Sequence, residues 1–148
     1  MNLTIVIPIF NEEKSIKVLY DQILETLNKS SMEDYEIFLV DDGSTDESWS
    51  KIEDICKIDK KVKGIKFKKN YGKSVVLNFC FRKAESDFLI TLDADLQDDP
   101  KEIPNLIKKI DEGWDVVSGW KKNRKDPINK TLPSKIFNAV TSFFIGLR

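Results

Sequence analysis

The sequence lacks several features on which common enzyme mechanisms depend. Its 148 residues include no histidine and only two cysteines. Without histidine, Ser-His and Cys-His nucleophile pairs and imidazole-built zinc sites are excluded. Cys56 and Cys80 stand apart in apolar-periodic stretches, so we expect two buried thiols in a reducing compartment. No signal-peptide pattern follows Met1, and no apolar run reaches about 18 residues, so we expect no membrane span in this sequence.

Glycine-rich nucleotide loops are also missing. No Gly-x-Gly-x-x-Gly pattern follows a candidate strand, which argues against dinucleotide binding. No glycine-rich phosphate loop follows the first strand, which disfavours a sugar nucleotidyltransferase. A phospho-accepting signalling receiver would need an aspartate on the third strand, and residues 62–67 supply none.

Charge is distributed unevenly along the chain. Residues 1–119 hold 17 Lys/Arg against 24 Asp/Glu, whereas residues 120–148 hold seven basic residues and one acidic residue. The basic segment is either a solvated surface or a patch for lipid phosphate, a membrane surface or nucleic acid. We expect a ligand-binding core in 1–119 and a basic segment of the same domain in 120–148. Because the last residues are strongly apolar, we also expect the protein to continue beyond Arg148.

Strand-like and helix-like patterns alternate along the chain. Short apolar, β-branched runs predict strands at 3–9, 35–40, 62–67, 87–92 and 114–118. Helical spacing predicts a helix after each of the first four strands, the first capped by Asn11 and the fourth beginning near Pro100 or Pro104. A last amphipathic helix is predicted from about Pro133. This alternation is typical of an α/β fold with a mainly parallel sheet and helices on both faces.

Polar segments follow four of the predicted strands. They are Pro8 to Glu12, Asp41 to Asp46, Asn70 to Lys73 and Asp93 to Gln97. Each segment alone is compatible with a turn and a helix cap. Ligands of such sheets bind outside the carboxyl ends of the strands, where all four segments would meet. Four carboxylate-rich segments at one edge favour a binding site.

The segment Asp93-Ala94-Asp95 indicates metal chemistry. Alternate residues of an extended segment point the same way, so Asp93 and Asp95 can converge on one cation. Two carboxylates this close repel unless a metal or a lysine neutralises them. Hard oxygen ligands suit Mg²⁺ or Mn²⁺, which complete their shell with phosphate oxygens and water. The alternative is an acidic exposed loop.

Four motifs carry a resemblance to a known family. They are Ile-Pro-Ile-Phe-Asn-Glu-Glu at 7–13, Val-Asp-Asp-Gly-Ser-Thr-Asp at 40–46, Asn-Tyr-Gly-Lys at 70–73 and Leu-Asp-Ala-Asp-Leu-Gln-Asp at 92–98. In order and spacing the chain resembles family-two glycosyltransferases of the GT-A fold, a Rossmann-like sheet. Within that family it is most similar to dolichol-phosphate mannose synthases and bacterial polyprenyl-phosphate glucosyltransferases.

The resemblance implies roles for individual residues. The nucleoside pocket would be formed by Pro8, Asn11, Glu12, Asp41 and Asp42, with Asp42 at the edge of the base. Lys73 would contact the donor near its diphosphate, and Asp93 would contact the donor too. Asp95 would bind the metal, with Gln97 and Asp93 as further ligands. The acceptor phosphate would be held by Lys121 or Arg124, Lys130 and Ser134.

The implied reaction is metal-dependent transfer of a hexose, with inversion, from a UDP- or GDP-sugar to a polyprenyl or dolichyl phosphate. The phosphate acceptor arrives largely ionised, so a strong general base is unnecessary. The implied partners are the nucleotide sugar, the lipid phosphate and, through residues 120–148, the cytoplasmic face of a membrane, and not nucleic acid. The apolar side of the last helix either lies in that membrane or packs on the rest of the protein. Alternatives are a polysaccharide or protein acceptor, an inactive donor-binding fragment and a non-catalytic binding module.

Overall fold

A parallel sheet organises the molecule. The structure, a computed structural model, describes residues 2–119. Its four strands are β1 (Leu3–Ile9), β2 (Tyr35–Asp41), β3 (Val62–Lys66) and β4 (Phe88–Thr91). They lie in the order β3-β2-β1-β4, and every neighbouring pair is parallel. The predicted α/β architecture is therefore confirmed.

Helices connect the strands and cover both faces of the sheet. They are α1 (Ile16–Lys29), α2 (Ser48–Ile58), α3 (Lys73–Lys83) and α4 (Ile103–Asp111), the last preceded by a 3₁₀ turn at Pro100–Glu102. Side chains alternate between the two faces of a strand. Leu3, Ile5, Ile7 and Ile9 of β1 therefore join the larger core beneath α1, α2 and α4. Val6 faces the other side and packs in a smaller core with α3.

The register brings the ends of the strands together. Ile9 at the end of β1 pairs with Asp41 at the end of β2, and Asp41 pairs with Lys66 at the end of β3. After β3 the chain crosses the sheet and adds β4 on the free side of β1. The strand order thus reverses between β1 and β4, and in open α/β sheets a crevice for ligands forms at that reversal. The polar segments after β1, β2, β3 and β4 all begin at this edge.

Two local predictions are wrong. Asn11 does not cap α1, which begins at Ile16 with Ser15 before it. Asn11 instead adopts a left-handed conformation (φ 56°), and its side-chain oxygen accepts hydrogen bonds from Thr45. Residues 114–118 form no strand. Trp114 and Val116 are 62% and 83% exposed, so this segment gains none of the burial that stabilises an inner strand.

The chain divides into two units, residues 1–115 and 116–148. The sheet and its helices belong to the first unit. Of the second, the structure describes residues 116–119, which carry neither helix nor strand. The helix predicted from about Pro133 and the basic segment 120–148 lie outside the described residues. Within residues 2–119, no helix has the length and apolar character needed to span a membrane.

Gly43 lies where the segment after β2 touches the segment after β3. Its φ is +74°, and a Cβ atom there would lie 2.4 Å from the carbonyl carbon of Lys69. Gly113 has a φ of +100° but open space around it. A side chain at either glycine would strain the backbone, but only a side chain at Gly43 would also collide with another segment.

We predict that Gly43→Ala lowers the free energy of unfolding by about 3 kcal/mol or more, because strain and collision with the backbone combine. Gly113→Ala should cost only the strain, about 1 kcal/mol. Urea unfolding of both variants measures the difference. Equal losses would show that the two segments do not touch as described.

Candidate functional site

A cleft of about 250 Å³ opens at the carboxyl edge of the sheet. All four polar segments contribute to its wall, through Pro8, Ile9, Phe10, Glu12, Asp42, Asn70, Gly72, Lys73, Asp93, Ala94 and Asp95. Six of the residues predicted from the sequence are among them: Pro8, Glu12, Asp42, Lys73, Asp93 and Asp95. Three others in the described range, Asn11, Asp41 and Gln97, do not line the cleft.

Asp42 fastens the segment after β2 to the segment that precedes α3. One of its carboxylate oxygens accepts a hydrogen bond from the backbone N–H of Tyr71, and the other accepts from that of Gly72, both at 2.8 Å. The side chain is almost fully buried. A buried carboxylate needs such partners, since an unpaired buried charge is costly. Asp42 therefore positions the start of α3, where Lys73 lies.

A second set of hydrogen bonds joins the segment after β1 to the segment after β2. The Asn11 side chain accepts from the backbone N–H of Thr45 at 2.8 Å, and the backbone N–H of Glu12 donates to the Ser48 hydroxyl at 2.9 Å. Glu13 donates its backbone N–H to Asp46 at 3.2 Å. Burial disfavours ionised Asp46, but hydrogen bonds from Ser48 and from the backbone of Glu13 outweigh it and hold the pKa of Asp46 below its ordinary value. The cleft thus rests on two interlocked loops.

Asp41 lies beneath the cleft and is fully buried. One of its carboxylate oxygens accepts a hydrogen bond from the backbone N–H of Ser44 at 3.0 Å. The other oxygen is buried and has no hydrogen-bond partner among the described residues. Asp41 therefore supports the turn that follows Asp42 and does not itself line the cleft.

Lys73 and Asp93 form an ion pair across the cleft, and both side chains are partly exposed. The lysine therefore neutralises Asp93, one of the two adjacent carboxylates. The sequence predicted a metal or a lysine in this role. Asp95 is exposed, and it accepts a hydrogen bond from the backbone N–H of Gln97 at 3.0 Å. Asp93 in turn donates its backbone N–H to Asp98 at 3.0 Å.

The donor set at Asp93 and Asp95 fits Mg²⁺ or Mn²⁺. Both carboxylates line the same cleft. Such ions commonly bind one or two carboxylates together with substrate phosphates and water. Within residues 2–119, no cluster of three or more His, Cys, Asp or Glu side chains forms an all-protein metal site. The arrangement suits a metal that takes some of its ligands from the protein and the others from a substrate. That Gln97 is one of the protein ligands stays a prediction.

Cysteine chemistry plays no part in the cleft. Burial raises the pKa of Cys80 to about 11, so this thiol stays protonated at neutral pH. Burial also raises the pKa of Cys56, which is only partly buried and lies near β3. The prediction of two buried thiols is therefore confirmed for Cys80 and only partly correct for Cys56.

The sequence assigned no role to five cleft residues, of which Phe10 and Asn70 carry an aromatic or a polar side chain. Phe10 is 45% exposed and contributes an aromatic ring to the wall, and Asn70 contributes an amide. Both lie within the polar segments that were recognised, Phe10 between Pro8 and Asn11 and Asn70 at the start of Asn-Tyr-Gly-Lys. Their position in these motifs was the available signal.

Comparison with known proteins finds relatives that match nearly the whole length of the chain. The family model described as "Glycosyl transferase family 2" matches residues 4–148. The undecaprenyl-phosphate 4-deoxy-4-formamido-L-arabinose transferase of Proteus mirabilis (strain HI4320) is 40% identical over 145 residues, which cover 97% of this chain and 44% of that protein. The protein of the same name from Photorhabdus laumondii is 39% identical, with the same coverage. The chain therefore spans less than half the length of these relatives.

Solved structures share the fold. The mannosyltransferase PcManGT from Pyrobaculum calidifontis, in complex with GDP-Man and Mn²⁺, matches with a TM-score of 0.62 at 24% identity, over 72% of this chain and 31% of that one. S. aureus TarS 1–349 in complex with UDP matches with a TM-score of 0.62 at 23% identity, over 86% and 38%. At these identities the likeness concerns the fold alone. The predicted GT-A fold is confirmed.

We predict that Asp42→Asn destabilises the protein by about 2 kcal/mol, because an amide group would face a backbone N–H that needs an acceptor. The free energy that protects the amides of Tyr71 and Gly72 from hydrogen exchange should fall by at least the same amount, so both amides should exchange faster. The matched control is Asp54→Asn, which removes an exposed ion pair with Lys57 and should leave the free energy of unfolding almost unchanged, because solvent screens such a pair. Unchanged exchange at Tyr71 and Gly72 would contradict the role of Asp42.

Proposed function

Because the chain belongs to glycosyl transferase family 2, we propose that it carries the donor-binding half of an enzyme that transfers a sugar from a nucleotide diphosphate sugar to a polyprenyl phosphate. The named relatives, which are undecaprenyl-phosphate sugar transferases, support this acceptor class. The observation that carries the proposal is the cleft, where Lys73 from the segment after β3 meets Asp93 and Asp95 from the segment after β4 at the strand-order reversal.

We assign the nucleoside to the part of the cleft formed by Pro8, Glu12 and Asp42. Both Asp42 oxygens already accept backbone N–H groups. Each carboxylate oxygen has a second lone pair, which leaves Asp42 able to accept from the edge of a base. Asn11 and Asp41 would act indirectly, because their side chains hold the loops on either side of Asp42.

The diphosphate would lie between Lys73 and the pair Asp93 and Asp95. Its charge demands cations, and Lys73 supplies one from within the chain. A divalent metal held by Asp93 and Asp95 would offset the charge that develops on the nucleotide diphosphate leaving group. Lys73 would act on the same oxygens from the opposite side, since its flexible stem reaches Asp93 across the cleft.

The acceptor is assigned to residues outside the described range. Lys121 or Arg124, Lys130 and Ser134 would hold its phosphate at the cytoplasmic face of a membrane. A phosphate monoester has a second pKa of about 6 and is therefore largely ionised as a nucleophile at neutral pH. A strong general base is then unnecessary, which agrees with a sequence that contains no histidine.

We predict that UDP or GDP stabilises the 148-residue chain against thermal unfolding in a metal-dependent manner. A nucleotide at a hundred times its dissociation constant contributes about 2.7 kcal/mol. The measurement compares each nucleotide with and without Mn²⁺, and the nucleotide that responds identifies the base. Asp95→Asn should abolish the metal-dependent part, whereas Asp21→Asn, which breaks an exposed ion pair with Lys17, should preserve it.

The same substitution tests the reaction in the full-length enzyme. If Asp95→Asn retained full sugar transfer and full metal dependence there, the proposed metal site would be wrong. Transfer to a polysaccharide or protein, but not to a polyprenyl phosphate, would instead refute the acceptor class and leave the donor site intact.

We further predict opposite effects of Lys73→Met on the two ligands. Mn²⁺ alone should bind up to about fivefold more tightly, since the competing ammonium is removed from an exposed pair. UDP or GDP should bind more weakly. Titration of Mn²⁺ by electron paramagnetic resonance and nucleotide binding by calorimetry measure these effects, with Lys69→Met as the control for the general loss of positive charge. Weaker Mn²⁺ binding in Lys73→Met would contradict the competition.

A further inference from the structure

Residues 66–83 are uniformly basic in an otherwise acidic part of the chain. This stretch contains six basic residues and no acidic one: Lys66, Lys68, Lys69, Lys73, Arg82 and Lys83. Residues 1–119 as a whole hold 24 acidic residues against 17 basic ones. The surface formed by the segment after β3 and by α3 therefore differs in sign from the rest of the described domain.

Aromatic side chains cluster on the same stretch. The ring of Phe67 contacts the rings of Tyr71 and Phe79 edge-to-face, with centroids 5.8 Å and 5.5 Å apart. Tyr71 and Phe79 are 49% and 42% exposed, and Val75, which lies between them at four-residue spacing, is 47% exposed. The three rings are contiguous through Phe67, so they differ from the singly scattered apolar residues that are normal on a protein surface.

Two of the lysines beside this cluster have no acidic partner in the part of the chain that the structure describes. Lys68 and Lys69 are exposed and form no salt bridge with a described residue. The ammonium group of Lys69 lies 5.2 Å from the centre of the Tyr71 ring. Lys66 differs, because its ammonium group lies over Trp49, and Lys73 is paired with Asp93 in the cleft.

We propose that a basic aromatic surface, formed by Phe67, Lys68, Lys69, Tyr71, Val75 and Phe79, docks on the anionic face of a phospholipid bilayer. Amphipathic aromatic rings and lysines are the side chains favoured at the level of lipid head groups. Lysines near an anionic surface strengthen binding electrostatically. The proposal rests on the proposed function, because a lipid acceptor requires the cleft to face a membrane, and Tyr71 adjoins the cleft residues Gly72 and Lys73.

A bilayer fits this surface better than a second copy of the chain. Two copies that met through it would bring lysines of like sign together, with no acidic residue in 66–83 to pair with them. In the sequence, the residues of this surface lie outside the basic segment 120–148.

The test is cosedimentation of the 148-residue chain with phosphatidylcholine vesicles, with and without phosphatidylglycerol. Each lysine close to an anionic surface contributes about a fivefold increase in partitioning. The double variant Lys68→Ser, Lys69→Ser should therefore bind anionic vesicles about 25-fold more weakly. A second double variant, Tyr71→Ser, Val75→Ser, removes the apolar contact and should lose about tenfold.

The matched control is Lys51→Ser, Lys60→Ser, which removes the same charge from exposed positions on and after α2 and should bind as the unchanged chain does. All variants retain residues 120–148, so their differences isolate the surface. Raising the ionic strength from roughly 0.01 M to roughly 1 M shortens the Debye length from about 30 Å to about 3 Å and should release the chain from the vesicles.

Three results would overturn the proposal: equal binding to neutral vesicles, no binding to anionic vesicles, or unchanged binding by Lys68→Ser, Lys69→Ser. If the unsubstituted chain forms a concentration-dependent dimer and this variant is monomeric, the surface binds a second copy of the chain instead of a bilayer. The metal-dependent nucleotide shift, measured on every variant, separates the two proposals. If the surface variants lose vesicle binding but keep the nucleotide shift, the result supports the membrane surface. If the unsubstituted chain shows no nucleotide shift, the result rejects the donor site.

Discussion

The site depends on the contact between the Asp42 carboxylate and two backbone N–H groups about thirty residues further along the chain, at Tyr71 and Gly72. β2 and β3 bring these segments to the same edge of the sheet, but strand pairing alone leaves their loops free to move. The carboxylate fixes both N–H groups at once, and α3 begins at the next residue, Lys73. Because Asp42 fixes the start of α3, it also positions Lys73 so that its ammonium group reaches Asp93. The close approach of Gly43 to Lys69 completes this junction, since any larger residue would separate the two loops.

Two kinds of surface meet at this junction. Carboxylates of the segments after β1, β2 and β4 line the cleft, and the segment after β3 also carries the exposed Lys68, Lys69 and Tyr71. Such a division would suit the proposed function, in which the domain holds a charged donor next to a lipid phase. The cleft needs polar groups fixed by a rigid scaffold, whereas contact with a fluid bilayer needs charge and apolar area without a unique geometry. Lys68 and Lys69 form no ion pair within the described residues, whereas Lys73, which lines the cleft, pairs with Asp93.

The sequence predicted the fold well because its four strands and four helices have clear patterns and lie in a simple alternating order. It also predicted which segments meet, since the carboxyl ends of parallel strands share one edge. It failed where long-range contacts override local preference. Asn11 has the sequence context of a helix cap, but its side-chain oxygen instead accepts a hydrogen bond from the backbone N–H of Thr45 on another loop. Residues 114–118 have strand-like composition without the burial that a strand requires. The Asp42 clamp was equally invisible, because its partners are backbone groups that have no sequence signature.

The ion pair between Lys73 and Asp93 has a thermodynamic consequence for the proposed donor site. Each member of the pair serves a different ligand: the lysine suits a diphosphate, and the carboxylate suits a divalent metal. A diphosphate that engages Lys73 releases Asp93 for the metal, and a metal that engages Asp93 releases Lys73 for the diphosphate. Because coupling between two ligands is reciprocal, each would raise the affinity for the other by the same factor. The exposed pair would thereby favour joint binding of metal and donor over either alone, with no movement larger than that of one lysine side chain.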